Sequence, residues 1–355
     1  MGFRSVRRLQ PLRIDLSTCR YQALIGTGGI GSGLFFALNG DHTLGREESR
    51  SGRFLSQRDY CKLHIITHYV ATLLPANFRT IPLGMVGEDD LGSQLVAEMR
   101  QAGLDIRYVQ TCPDERTLMS ICLLYPDGSG GNLTQDSSAS QLVNADFIAG
   151  AANEFASFAG RGVALAAPEV PLEARQEVFN QASRHDFLRV ASFTSGELQG
   201  HMVVNLLAQT DLLSINIDEA AALLGQNTSA QPVEAIVRAT FTRLSHLNPS
   251  IQATITAGRQ GSWGWEEREI HHLPALPIQV VNTAGAGDAF LAGLIIARVI
   301  RLEFTQAHEL ATLIAGYSTT SPHTIHPELD RRSLRIFAKQ ADVPLSKPVA
   351  MLLEE

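Results

Sequence analysis

Cysteine is scarce in this chain, with four in 355 residues. Cys19, Cys61, Cys112 and Cys122 form no CxxC, and none stands at zinc-finger spacing from a histidine. That spacing excludes a zinc ribbon or a thioredoxin-like redox motif. Free thiols in a reducing cytoplasm are the expectation. Long apolar runs are also missing: none approaches the ~18 residues needed to cross a bilayer, so no membrane partner is expected. Basic charge is short as well. Lys and Arg number 29 against 36 Asp and Glu, a net charge of -7. A nucleic-acid-binding surface would normally be basic, so that partner is set aside, while a locally bound nucleotide is not. The arginines of the N-terminus (Arg4, Arg7, Arg8, Arg13, Arg20) accompany no apolar segment of the secretory kind. Residues 1–20 therefore read as a surface arm. Internal repeats, low-complexity runs and clean linkers are lacking too.

What is present is alternation. Short apolar runs at 23–25, 79–85, 117–124, 162–166, 187–193, 212–216 and 251–256 read as strands. Segments of helical period separate many of them, including 60–74, 91–101, 171–183, 198–209 and 231–247. Strands alternating with helices predict a three-layer α/β/α domain with a mostly parallel central sheet, whose ligands collect at the carboxyl ends of the strands. The turn at 125–134 is polar and glycine-rich, and its Ser129, Asn132 and Thr134 suit hydroxyl recognition. A flexible exposed loop is the alternative. Gly26, Gly28 and Gly31 satisfy GxGxxG after the first strand. That pattern raises the alternative of an NAD(P)-binding oxidoreductase, which needs a helix directly after Gly31. The polar residues 39–52 speak against one.

Residues 280–294 carry the most chemistry. The β-branched run at 278–281 reads as a strand, Gly285 and Gly287 as a tight turn, and residues 289–299 as a helix. Glycines let backbone N–H groups approach a ligand, and the positive end of a helix dipole favours an anion such as phosphate. A carboxylate at the mouth of an anion site would repel phosphate. Asp288 there is better explained as a base that takes a proton from an attacking hydroxyl. The alternative is a residue that only complements the helix dipole.

The stretch Asn282-Thr283-Ala284-Gly285-Ala286-Gly287-Asp288 closely resembles the C-terminal signature of the ribokinase-like (PfkB) carbohydrate and nucleoside kinases. The resemblance runs from about residue 21 to 338. It implies a ribokinase-like fold over residues 21–342, with a small β-lid from roughly 30–58 and 105–136 and a tail at 343–355. It implies transfer of a phosphoryl group from ATP to an alcohol group of a sugar or nucleoside. Asp288 would be the base, and the amides of Gly285, Ala286 and Gly287 an anion hole. Asn216 and Glu219 resemble the family's Asn-x-x-Glu element, with Glu219 acting on Mg²⁺ through water; a capping box is the alternative. Thr256, Gly258 and Gly261 resemble its nucleotide loop, and Thr283 belongs with them. Monovalent-cation activation and a homodimer paired through the lid are further family properties. One departure is Asn282, where the family usually has Asp.

The substrate side departs further. The family's N-terminal Gly-Gly-x-x-x-Asn is not cleanly present, and the helix at 60–74 offers Lys62 and His64 instead. Asp41 could hold sugar hydroxyls, and Arg46, Arg50 and Lys62 an anionic substituent. A solvated, locally paired charge run is the alternative for 41–52. With Asn132, these are the acceptor-site candidates. A non-catalytic binding protein on the same fold is a third alternative, against which the intact Asp288 argues.

Overall fold

A computed structural model describes residues 9–126, 130–226, 228 and 231–354. Ser129 and the tip of its turn, and residues 1–8 of the expected arm, lie outside the described residues. Among the described residues the main sheet is built on β1 (Ala23–Thr27), β4 (Arg79–Gly87), β5 (Val109–Cys112), β8 (Gly162–Ala166), β9 (Leu188–Ala191), β10 (Leu212–Asn216), β11 (Gln252–Thr256), β12 (Ser262–Glu266) and β13 (Glu269–Leu273). Their order is β13-β12-β11-β10-β9-β8-β1-β4-β5. All pair in parallel except the β11–β12 and β12–β13 ladders. A second sheet, in the order β3-β2-β6-β7, forms a lid from β2 (Gly31–Leu38), β3 (Gly52–Tyr60), β6 (Leu118–Leu124) and β7 (Gly130–Thr134).

Strand β1 is buried along its whole length, as a strand covered by helices on both faces must be. Leu24 enters the core with the helices Lys62–Leu73, Ala286–Val299 and Phe304–Ser318. Ile25 points the other way, to the helices Leu172–Arg184, Ile217–Leu224 and Val233–Leu247. The expected three layers follow from that alternation. From β1 the sheet grows through β4 in one direction and through β8 in the other. The order therefore reverses between β1 and β8, where open α/β sheets leave a crevice at their carboxyl edge.

Several local expectations give way. No helix follows Gly31; β2 does, running parallel to β6. The oxidoreductase alternative loses its helix, and Gly31 is explained by packing. A Cβ there would lie 2.4 Å from the Leu118 carbonyl oxygen. Residues 278–281 form no strand: the Val281 and Asn282 amides donate to the Thr319 carbonyl instead. The β-branched run has no strand to pair with, and Val280 and Val281 stay exposed. Within the span 105–136 assigned to the lid, β5 joins β4 in the main sheet.

Residues 9–20 are no surface arm. Leu12 is buried in the core, its amide donates to the Leu73 carbonyl, and the Arg13 amide donates to the Leu352 carbonyl. The described part of the expected tail, residues 343–354, also packs, through buried Val349, Leu352 and Leu353. Apolar residues spaced along both ends seal one flank of the helical layer, and the arginine content of the first stretch masked this. Among the described residues no helix is long and apolar enough to cross a membrane.

Candidate active site

A cavity of ≈600 Å³ opens where the lid faces the carboxyl edge of the sheet, lined among others by Asp59, Lys62, Asn132, Glu169, Gly285 and Asp288. Gly285 and Asp288 share one helix N-terminus, and the other four come from four further segments. Asp288 stands in the first turn of the helix Ala286–Val299, whose N-cap Gly285 has φ 76° and contributes no side-chain cap. The positive φ is cheap only for glycine. The glycine is also needed for space, since a Cβ would lie 2.5 Å from Thr324 Cγ2. Gly287 differs: a Cβ there meets nothing within 4 Å. The Ala286 amide donates to the Thr283 carbonyl at 3.2 Å, while the helix N-terminus at Gly287 faces open space, an arrangement suited to an anion.

Asn282 shapes the approach to that turn. Its Oδ1 accepts from the Ala284 amide at 3.0 Å, and its Nδ2 donates to the Pro322 carbonyl at 3.0 Å. A carboxylate could not make the second bond, so the Asn is suited to this local geometry. Thr283, next in the chain, is exposed.

Burial raises the Asp288 pKa to about 6; the Lys62 charge works against this, and Glu219 and Asp59 add to it. Such a carboxylate is a base near neutral pH. Lys62 leaves the first turn of its helix to donate to Glu219 Oε1 at 2.9 Å and to the Phe193 carbonyl at 2.7 Å. Burial opposes its charge, but Glu219, Asp288 and Glu169 hold its pKa above the ordinary value.

Asn216 and Glu219 form a reciprocal capping box. Asn216 Oδ1 accepts from the Glu219 amide at 2.8 Å, and Glu219 Oε2 from the Asn216 amide at 2.9 Å. Both Glu219 carboxylate oxygens are thus engaged. Asn216 and Thr256 are register partners at the carboxyl ends of β10 and β11. Gly258 (φ 52°) and Gly261 (φ 87°) shape the connection to β12. At Gly261 the missing side chain serves packing, because a Cβ would lie 2.1 Å from the Leu273 carbonyl oxygen.

Of the acceptor-site candidates, Lys62 and Asn132 line the cavity with Gly285 and Asp288. Asp41 and Arg46 are exposed between β2 and β3, away from the lining. Their neighbours pair locally: Arg50 Nε donates to Glu48 Oε1 at 2.7 Å, and its guanidinium also donates to the His42 carbonyl. His64 is buried with its ring centroid 4.7 Å from that of Tyr60. Burial pushes its pKa down to about 3, so it is a neutral core histidine.

The structure adds residues that pattern reading missed. Glu169 follows β8 with φ 74°, a strained left-handed conformation for a side-chain-bearing residue. Its side chain fills the space Gly29 leaves, where a Cβ would be 2.6 Å from Glu169 Cβ. Burial raises its pKa to about 7 against the pull of Cys61 and Lys62. A signal existed: an acid between Pro168 and Pro171, just past a wholly apolar strand. Asp59 comes from the lid strand β3, and Thr194 and Glu197 from a capping box after β9. Buried Arg175 fixes that wall, donating to Glu197 Oε1 and the Ser192 carbonyl, each at 2.6 Å.

No cluster of three or more His, Cys, Asp or Glu that could hold a metal exists among the described residues. Mg²⁺ suits that shortage, since it usually keeps several waters and leans on substrate phosphates. The uncapped helix N-terminus fits the phosphates.

The family profile described as "pfkB family carbohydrate kinase" matches residues 68–331, well over half of the chain. A fructokinase of Klebsiella pneumoniae is 35% identical over 92 residues, covering 25% of this chain and 26% of its own. The bifunctional ribokinase/ribose-5-phosphate isomerase A of Fructilactobacillus sanfranciscensis is 24% identical over 221 residues, covering 59% of this chain and 37% of its own. The chain thus spans only about a quarter to just over a third of the length of these two relatives. Among solved structures, the Arabidopsis thaliana ribokinase complexed with ribose and ATP superposes with a TM-score of 0.69 at 19% identity, covering 90% of this chain and 99% of its own. That likeness shows a ribokinase-like fold.

Proposed function

The chain belongs to the pfkB family of carbohydrate kinases, and on that premise we propose that it transfers the γ-phosphoryl group of ATP to an alcohol group of a small molecule, a sugar or nucleoside. The observation that carries the reading is the pairing of Asp288, its pKa raised to about 6, with an uncapped helix N-terminus at one cavity wall. Asp288 accepts the proton of the attacking hydroxyl. The Gly285 and Gly287 amides stabilise the charge of the transferring group, a role that is strong because the donors are fixed beforehand; the Ala286 amide, expected as a third, is already given to the Thr283 carbonyl. Lys62 lies within electrostatic reach of Asp288 and keeps the base anionic more of the time. The nucleotide lies along Asn216, Thr256, Gly258 and Gly261, toward Thr283. Mg²⁺, when bound with ATP, supplies charge neutralisation for the phosphates. Glu219 is oriented toward it only through water, because both its oxygens are already engaged. Asn132 is offered to the acceptor from the lid.

The kinase domain then takes in the described parts of both flanking stretches, residues 9–20 and 343–354, which pack on it. A cytoplasmic location accords with the free thiols. Phe54 and Leu133 of the lid are exposed, and we propose that two copies pair there.

A phosphoryl-acceptor screen reading ADP formation tests the reading. Acceptor-dependent ADP is expected with at least one free sugar or nucleoside, and Asp288→Asn is expected to abolish most of it. Undiminished transfer in that variant would sink the mechanism.

A further inference from the structure

At residue 282 this chain carries an amide where the family usually has a carboxylate. Partners of fixed polarity settle how that amide is turned. The Ala284 N–H only donates, so it marks Oδ1; the Pro322 carbonyl only accepts, so it marks Nδ2. The backbone amides of Val281 and Asn282 both donate to the Thr319 carbonyl, at 2.8 and 3.2 Å. Two carbonyl oxygens of the second segment, those of Thr319 and Pro322, are thus met by N–H donors of the first.

The second segment is itself anchored. The Thr324 hydroxyl donates to the Arg58 carbonyl of lid strand β3 at 3.1 Å and lies 3.2 Å from Asp59 Oδ1. The hydroxyl of buried Tyr69, on the helix Lys62–Leu73, accepts the His326 amide at 2.8 Å. Thr324 also fills the space beside Gly285. Whatever holds residues 281–284 to this segment therefore sets where the phosphate-facing turn stands.

An aspartate at 282 would set a carboxylate oxygen against the Pro322 carbonyl oxygen, at the distance where Nδ2 now donates. Two facing oxygens repel, and a monovalent cation bound by both would relieve the contact. Asn282 supplies a proton there instead, and its Oδ1 is already accepting. Neither 281–284 nor 319–324 contains an acidic residue. These residues do not fit the activating cation that the family resemblance implies. We propose that Asn282 is a positioning residue that clips the phosphate-facing turn to segment 319–324 through its own amide, and that this chain needs no monovalent cation to hold the turn. The inference takes from the kinase reading only that residues 282–288 face the nucleotide phosphates.

The test compares the full chain in potassium chloride and in tetramethylammonium chloride, at about 0.1 M each so that screening is equal. Melting temperature and affinity for the Mg²⁺ complex of a non-hydrolysable ATP analogue are measured for wild type, Asn282→Asp and Asn282→Ala. Wild type should melt alike in the two salts and bind the analogue within about 2-fold, since an ion without a site shifts neither. Asn282→Asp should bind about 10-fold more weakly in tetramethylammonium, where a hydrogen bond has become a repulsive contact. Potassium should restore most of that affinity and raise the variant's melting temperature. Asn282→Ala, which removes the clip without making a cation ligand, should bind more weakly in both salts alike. A merely structural role for Asn282 would lower both variants' melting temperatures with no preference for potassium. Wild-type stability or affinity that climbs with potassium, an Asn282→Asp chain indifferent to it, or wild-type affinity in Asn282→Ala would overturn the inference. Failure of the wild type to bind the analogue in either salt would overturn the kinase reading alone, and the melting temperatures would still decide the inference.

Discussion

The two walls of the cleft were built by different rules. On the wall formed by residues 282–288, backbone does the work: an Asx turn at Asn282, a left-handed Gly285 and an uncapped helix end leave one side chain, Asp288, for the chemistry. On the lid wall, side chains do it: Asp59 and Asn132 project from two strands toward Glu169 on the sheet edge. A backbone device is tied to a short contiguous sequence and tolerates little change. A side-chain device can be rebuilt from distant positions. The family profile begins only at residue 68, beyond β1, β2, β3 and Lys62. On the proposed function, the reaction is written in one wall and the acceptor in the other.

Substitutions can break this division. Asp288→Asn is expected to lower acceptor-dependent turnover by about 10³-fold, within the span usual for a lost general base, with ATP affinity nearly kept. Gly287→Ala should cost about 10-fold to 100-fold in kcat, as for loss of an anion-hole donor's access. Its melting temperature should stay put, because a Cβ there meets nothing within 4 Å. A stability loss matching the activity loss would show that Gly287 serves packing instead. Lys62→Met strands Glu219 without its cation and should destabilise by about 2 kcal/mol in chemical denaturation. It should also move the Asp288 pKa upward, because the lysine charge is what holds it down.

Stability should respond to pH more gently. Asp288 and Glu169 titrate at about 6 and about 7 when folded, above their ordinary values. Between those ordinary values and the folded ones, the folded state binds more protons than the unfolded state. Stability therefore falls as pH rises through that window. Glu169→Gln should flatten the upper part of the fall in thermal melts from pH 5 to 8. Asp41→Ala and Arg46→Ala mark the small end, with kcat/KM expected within about 2-fold of wild type and stability within about 0.5 kcal/mol, as for exposed residues away from the lining. A larger loss of activity in either would extend the acceptor site into the loop between β2 and β3.

The same contrast explains what the sequence made legible. The alternation of strands and helices announces the layered fold, since burial on both faces demands apolar runs such as β1 and β8. The motif from Asn282 to Asp288 is contiguous and needs specific glycines, so it can be read directly. Glu169 could not be read with the same ease. Its role depends on Gly29, 140 residues earlier (169 minus 29), leaving room for its side chain. Asp59 lies just past the span 30–58 that the resemblance gives to the lid, although its ladder with β2 makes it part of a lid strand. Glycines can mislead. Gly31 looks like a ligand-facing glycine and is there for packing against Leu118. The β-branched run at 278–281 misleads because propensity cannot supply a pairing partner.

The most direct measurement is the pH profile of single-turnover phosphoryl transfer from ATP to an accepted polyol, for wild type and for Asp288→Asn. The account predicts a wild-type rate that rises with pH through an inflection near 6, as Asp288 gives up its proton. It predicts a residual rate in the variant that lacks this inflection. The same inflection in Asp288→Asn would contradict Asp288 as the base.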